Sequence, residues 1–444
     1  MISVVIHPDF QVEKEYAIAV LLSEILGVPY CIETDVAAQG YLFRLPNGHS
    51  VHIQDGFWID KTFDAIYTPG SVPADVQNWI NPFDGTPMAV LFGNMDFQQD
   101  SEHILLGADL IAAAFFMLTR WEEYALREEG VLDEYGRFPG AAALASRFGF
   151  LDRPVVNEWT TFLFQCFVQL GWPEQDRKKH HFQTILSCDV DHPRLWWSKK
   201  EVIRTIGGAL LRGNPVQEIR YWWKNGLRAT KDPFDTFDEL MAWGEQHGTP
   251  VQFNFLSERP RHFDAWYDLK HPVIAQLMQE IAEKRHIIGF HPSREAVNDP
   301  IRFGAELTAL RQAAPLPVVS GRHHYLCFHA PFTWQMWEDH QLEADSTLGY
   351  SDLPGFRCGI CMEFQVFDFL QRRTLLLREQ PLIAMEVTFA RYLDLEPEKM
   401  LGQLRALKDQ VQRFDGQFTL LWHNSSFNTF FWAPFRTVFE QILA

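Results

Sequence analysis

In the stretch TILSCDVDHP, Thr184 to Pro193, an apolar run ends with Asp189 and Asp191 two positions apart and His192 beside them. Residues two apart on a strand project from one face. Two carboxylates on a common face repel unless a positive group lies beside or between them. A divalent cation meets that need: one carboxylate ligates it and the other takes a proton from the water it activates. Carboxylate and imidazole donors suit zinc first, with cobalt, nickel or manganese as alternatives. The pair is too close along the chain to flank a sugar from opposite sides, since glycosidase acids stand about 5 to 9 Å apart and usually on different strands. Capping of the next segment, or a pair with Arg194, is the plain alternative for these two residues.

The same pattern recurs downstream. His291 follows an apolar run in IIGFHPS, Arg322, His323 and His324 lie in SGRHHY, and His423 with Asn424 ends FTLLWHN. Each alone reads equally as a satisfied core histidine or a loop cluster. Together they form a row of titratable groups at the ends of successive apolar runs.

The elements that must position them read as alternating strand and helix. Beyond the locally basic linker GWPEQDRKKHH (Gly171 to His181), short apolar runs such as TILSCDVD, VQFNFLS, IIGFHPS and PLIAMEVTF alternate with amphipathic helices such as HPVIAQLMQEIAEKRH. Alternation of this kind implies a parallel sheet with crossover helices, closed or nearly closed into a barrel. In such folds the chemistry sits at the carboxyl ends of the strands. The expected class is therefore α/β: a C-terminal distorted (β/α) barrel over 181–444, a connecting helix and linker over 151–180, and a smaller α/β accessory domain over 1–150.

That first part carries no phosphate loop, nucleophile elbow or metal spacing. MISVVIH reads as a strand, EKEYAIAVLLSEILG as a helix closed by Gly27, and YLFRLPNGHSVHI as a hairpin turning at Asn47-Gly48. GADLIAAAFFMLTRWEEYALREEG reads as one long helix closed by Gly130. The net charge of −18 argues against non-specific nucleic-acid binding, which needs a basic face. The opening residues, with no basic start and no long apolar core, do not read as a secretory signal, and the most apolar helix candidate, Leu110 to Leu118, is far short of the roughly 20 residues a membrane span needs. A cytoplasmic protein with no transmembrane segment is expected. Cys358 and Cys361 have CxxC spacing, but with no second pair they read as buried thiols.

From about His181 onward the chain resembles the NodB-type polysaccharide deacetylases, a group of metal-dependent carbohydrate esterases. The resemblance rests on the D-x-D of the first strand, on RHIIGFHPSRE, on GRHHY, on LLWH, and on DSTLGYSDLPGFRCG from Asp345 to Gly359. It implies Asp189 as catalytic base, Asp191 and His291 as metal ligands, His423 as catalytic acid and Arg322 as the group that orients Asp189. The family's second ligand histidine falls on Glu295, so Glu295 is implied as the third ligand, with His192 or His324 as the alternatives. His324, Asp345 and Arg357 are implied as substrate contacts. The implied activity is removal of N-acetyl groups from a carbohydrate, an amide hydrolysis. A second reading keeps the fold without the reaction, as a binder of glycan or of a partner protein. The first 150 residues, through AAAFFMLTRWEEY and DEYGRFPG, are similar to the accessory domain of bacterial deacetylase-like proteins.

One further segment stands out. Between Arg194 and Lys231 the chain carries Lys199, Lys200, Arg204, Arg212, Arg220, Lys224 and Arg228 against Glu201 and Glu218. Trp196, Trp197, Tyr221, Trp222 and Trp223 lie among them. Aromatic faces stack on sugar rings, so Trp196 and Trp197 are further substrate-binding candidates. An insert whose tryptophans pack on the domain and whose charges are solvated is the alternative.

Overall fold

The structure is a computed structural model, describing residues 1–59, 61–198, 200–201, 204, 215–225, 231–257 and 267–444. Lys199, Arg212 and Arg228 of the basic insert, and the side chain of Lys224, lie outside the described residues. The chain forms two compact units, the first made of Met1–Gln183, Cys327–Ile383 and Asp409–Gln417, the second of Thr184–Leu326, Ala384–Lys408 and Phe418–Ala444.

The first unit opens with strands β1 (Ile2–Ile6), β2 (Tyr30–Thr34), β3 (Gly40–Arg44) and β4 (Ser50–Gln54). They are followed by β5 (Gln77–Ile80), β6 (Pro87–Val90), β7 (Gly93–Gln99) and β8 (His103–Ala108). A six-stranded sheet runs in the order β2-β1-β3-β4-β8-β7, and β5 pairs with β6. The Asn47-Gly48 turn does join antiparallel strands: β3 pairs with β4, and Gly48 takes a φ of 91°, which only glycine adopts freely. The single long helix expected after Gly107 is two helices, Leu110–Thr119 and Trp121–Leu126. They break at Arg120, whose φ is 54°. Its buried guanidinium donates to Glu122, Glu123 and the Tyr350 hydroxyl, so side-chain ion pairing fixes a left-handed residue where local propensity favours continuation. Cys358 and Cys361 are buried free thiols.

The second unit is built on β9 (Gln183–Val190), β10 (Gln252–Phe255), β11 (Ile287–Phe290) and β12 (Ser320–Gly321). After β13 (Ala344–Asp345), β14 (Phe364–Asp368) and β15 (Arg373–Glu379) of the first unit come β16 (Ala384–Met385) and β17 (Gln417–Leu421). The strands of the second unit lie in the order β16-β17-β9-β10-β11-β12, and β9 to β12 run parallel. Helices Phe237–His247, Pro272–Glu283 and Pro300–Ala313 make the crossovers. Two of them start on proline, where the missing N–H costs nothing. The carboxylate of Asp299 caps the second by accepting from Arg302 N at 3.0 Å. Ile274, Leu277, Met278 and Ile281 form the buried stripe of helix Pro272–Glu283, at the spacing that keeps one helical face apolar. The class is thus mixed α/β with a parallel sheet. The strand order is an open row among the described residues, and closure into a barrel is not shown. Among the described residues no helix is long and apolar enough to cross a membrane.

Candidate metal centre

Parallel pairing sets the register that assembles the site. Asp189 is level with Asn254, and Asn254 with Gly289. Phe290 is level with Gly321, and Met385 with Leu421. β9 to β12 therefore end on the same edge, and β17 lies beside β9, with Trp422 N donating to Ser187 O. Asp191 follows Val190, His291 follows Phe290, Arg322 follows Gly321, Glu386 follows Met385, and His423 lies just beyond Leu421. Along β9 the two faces separate as the period of two requires. Leu186, Cys188 and Val190 are buried on one face, and Ser187, Asp189 and Asp191 alternate with them.

Asp189 is held by neutral and charged donors. Its Oδ1 accepts from Asn254 Nδ2 at 2.7 Å and from Arg322 Nη1 at 3.0 Å, and Arg322 Nη1 also donates to Ser187 Oγ at 2.9 Å. Asn254 needs Gly289 opposite it: a Cβ there would stand 2.0 Å from Asn254 Oδ1. Burial works against ionisation of Asp189, but the Arg322 guanidinium and the His291 and His423 rings outweigh it and hold the carboxyl below the usual range.

Arg322 also fixes a ring. Its carbonyl oxygen lies 2.6 Å from His291 Nδ1 and can only accept, so that nitrogen carries the proton. His291 Nε2 then faces Asp191 Oδ1 at 3.2 Å and Asp189 Oδ2 at 3.8 Å. His324 Nε2 approaches the same Asp191 oxygen to 3.5 Å. His324 opens a turn in which Tyr325 and Leu326 have φ of 60° and 57°, a left-handed pair that points to constraint at this loop. Burial again opposes the charge on Asp191, and the His324 and His291 rings drive its carboxyl well below the usual range.

These groups fit a divalent cation. Asp191, His291 and His324 each offer a donor atom, and the three atoms lie within 4.8 Å of one another. Asp191 Oδ1 and His291 Nε2 are buried yet have no hydrogen-bond partner among the described residues. Buried polar atoms are costly when unpaired, and a carboxylate with two imidazoles is a donor set that a first-row metal accepts.

The opposite wall holds an acid. His423 Nε2 lies 3.6 Å from Asp191 Oδ2, and its Nδ1 bonds Glu386 Oε1 at 2.7 Å. Glu386 is fully buried, and the same oxygen accepts from His423 N and Ser426 Oγ. Burial alone would lower the His423 pKa, but Glu386, with Asp191 and Asp189 behind it, raises it to about 9.

Residues 2–172 match a family described as of unknown function, DUF7033. No curated protein matches. Among solved structures, a "putative polysaccharide deacetylase" from Mycobacterium smegmatis is 17% identical, with a TM-score of 0.36 over 62% of this chain and 86% of that one. A "putative polysaccharide deacetylase involved in o-antigen biosynthesis" from Bordetella bronchiseptica is 15% identical, with a TM-score of 0.29 over 55% of this chain and 72% of that one.

Of the residues singled out from sequence, Asp189, Asp191, His291, Arg322, His324 and His423 are brought together. Glu295 is not. It stands in the 3₁₀ turn Arg294–Asn298 and pairs with Arg302 at 3.3 Å. Its offset of four from His291 means little, because His291 lies just after β11 and before that turn, and the two share no helical face. His192 is exposed, and its carbonyl accepts from Asn424 Nδ2 at 2.9 Å. Asp345 and Arg357 belong to the first unit. There Asp345 accepts from Thr347 N, and Arg357 makes a two-pronged pair with Glu123 at 2.9 and 2.6 Å. Trp196 packs edge-on against Trp222, and Trp197, 39% exposed, packs against His271. Glu386, Asn254 and Ser187 went unread in the sequence. Glu386 carried the same signal as the others, a charged residue ending the apolar run PLIAM, and Asn254 is a lone amide inside QFNF.

Proposed function

We propose that the second unit is a metal-dependent hydrolase that removes N-acetyl groups from a carbohydrate. The observation that carries this reading is the division of labour around Asp191: two imidazoles on one of its oxygens, a protonated histidine on the other, and a second, separately held carboxylate alongside. Asp191, His291 and His324 would hold the cation. A divalent cation there supplies Lewis acidity, lowering the pKa of water and polarising an acyl oxygen.

The chain's own residues do the rest. Asp189 stays ionised at neutral pH and can take a proton, with Oδ1 occupied by Arg322 and Asn254 and Oδ2 directed toward the His291 ring. Arg322 orients it and, through its carbonyl, sets the tautomer of His291. His423 carries a proton at neutral pH because Glu386 holds it there, so it can deliver that proton to a leaving amine. Trp196 and Trp197 offer faces for a sugar ring. Asp345 and Arg357 drop out of the reading, since both are engaged within the first unit.

The test is bound metal and released amine. Protein soaked in zinc and then desalted should hold near-stoichiometric metal, lost in Asp191→Ala, and should release free amine from N-acetylated oligosaccharides only when loaded. A parent protein without metal would end the hydrolase reading. Full metal with no amine release across a panel of N-acetylated oligosaccharides would leave a glycan-binding domain instead.

A further inference from the structure

The basic piece Gly171–His181 has no part in the metal centre. In the first unit it crosses the end of the helical stretch that finishes at Ile25. Lys178 N donates to Leu26 O at 2.6 Å, Lys178 Nζ to Glu24 O at 3.2 Å, and His180 Nε2 to Ile25 O at 2.7 Å. These contacts satisfy the open carbonyls of a helix end and place positive charge at its negative pole. Lys178 and His180 are thereby explained. The strap is seated tightly, since a Cβ on Gly27 would come 2.7 Å from Lys178 Cβ.

Arg177, Lys179 and Arg413 are not explained that way. Arg177 lies over the Phe164 ring at 5.7 Å, Arg413 Nη1 donates to the neutral Gln410 side chain at 2.9 Å, and all three are exposed. None of them forms an ion pair with a carboxylate among the described residues. They line a cavity of about 530 Å³ that adjoins another of about 510 Å³, and both are walled by Lys178, His180 and His181. Glu174 and Asp415 are the acidic members of the larger cavity's wall, against Arg177, Lys178, Lys179 and Arg413. A cationic wall is a departure in a chain of net charge −18. At the same wall Asn157, 1% exposed, accepts from Cys361 N at 3.0 Å through its Oδ1, while its Nδ2 has no partner among the described residues. A buried amide donor without an acceptor is the state a ligand oxygen relieves.

We propose that this cavity binds a small phosphate-bearing ligand. Its size is that of a small-molecule pocket, about 300 to 1,000 Å³. Guanidinium and ammonium groups from two separate segments surround more negative charge than one carboxylate brings, and phosphate offers the oxygens that arginine forks and lysines take. Nucleic acid is disfavoured by the chain's overall negative field.

The probe is inorganic pyrophosphate, titrated calorimetrically into the full-length, chelator-treated protein at constant ionic strength, with malonate as the dicarboxylate comparison. One-to-one saturable binding is expected, at least about tenfold weaker for the double variant Arg177→Ala/Arg413→Ala, in line with the loss of charge-assisted hydrogen bonds. Asp191→Ala, altered in the second unit, should bind like the parent. Both arginines are exposed, and an unchanged melting curve of the double variant verifies its fold. Absence of saturable binding, equal affinity in the double variant, loss in Asp191→Ala, or malonate binding as tightly as pyrophosphate would each overturn the proposal.

Discussion

Replacing Glu386 by glutamine removes one charge and keeps the shape. Glu386 is buried and bonds His423 Nδ1 at 2.7 Å, so its carboxylate is the main reason that the His423 pKa rises from 6.5 to about 9. The gap of about 2.5 pH units corresponds to ~3.4 kcal/mol of preference for the protonated ring. That figure is the net of burial, which lowers the pKa, and of Glu386, Asp191 and Asp189, which raise it, so it measures the balance and not Glu386 alone. With a neutral amide in place of the carboxylate, burial is opposed by Asp191 and Asp189 alone, and the pKa in the metal-free protein should fall well below 9. The sign of the stability effect follows from linkage. A histidine whose folded pKa exceeds its unfolded value adds stability that is fully present below 6.5 and is lost as pH rises through about 9. The parent should therefore exceed Glu386→Gln by up to ~3 kcal/mol at pH 6, and the difference should narrow above pH 9. NMR titration of the His423 ring in chelator-treated protein reads the pKa, and urea unfolding at pH 6 and pH 10 reads the stability. A ring that still titrates near 9 in the variant, or a stability difference independent of pH, would overturn the assignment of Glu386 as the group that keeps His423 charged.

His324→Ala should cost most of the bound zinc, whereas Glu295→Ala, which removes only a partner of Arg302, should leave metal content unchanged by elemental analysis. Gly289→Ala should push Asn254 off Asp189 and lower the melting temperature, at a cost of roughly 1 to 3 kcal/mol for overpacking, and should slow any amine release at the same time. Arg322→Met removes the main cation facing the buried Asp189 carboxylate and leaves it Asn254 and the neighbouring imidazoles, so chemical denaturation should show a loss of up to about 3 to 5 kcal/mol. Arg357→Met should destabilise by less than the ~3 to 5 kcal/mol of a fully broken buried pair, because Glu123 keeps Arg120 as a partner, read in the same denaturation curves.

The residues that end apolar runs were legible from sequence because the periods of strand and helix are local. Asp189 and Asp191 share a face by the two-residue repeat alone, and His291, Arg322 and His423 each close a run. Alternation of such runs with amphipathic helices also determined that the strands lie parallel, and parallel strands must end on one edge. Two things lay beyond local reading. Which residue completes the metal set depended on how the chain leaves β11 and β12. A counted offset pointed to Glu295 and left His192 and His324 as alternatives, and among these it is the His324 ring, ahead of a left-handed turn, that reaches Asp191. The second was pairing between residues remote in the chain. The break at Arg120 follows from its pairing with Tyr350 as well as with its neighbours, and the charge of His423 from Glu386 on another strand. Periodicity carries the direction a side chain takes from its own backbone. It carries nothing about the partner waiting there, because burial and Coulomb energies depend on distances through space that only the folded chain defines.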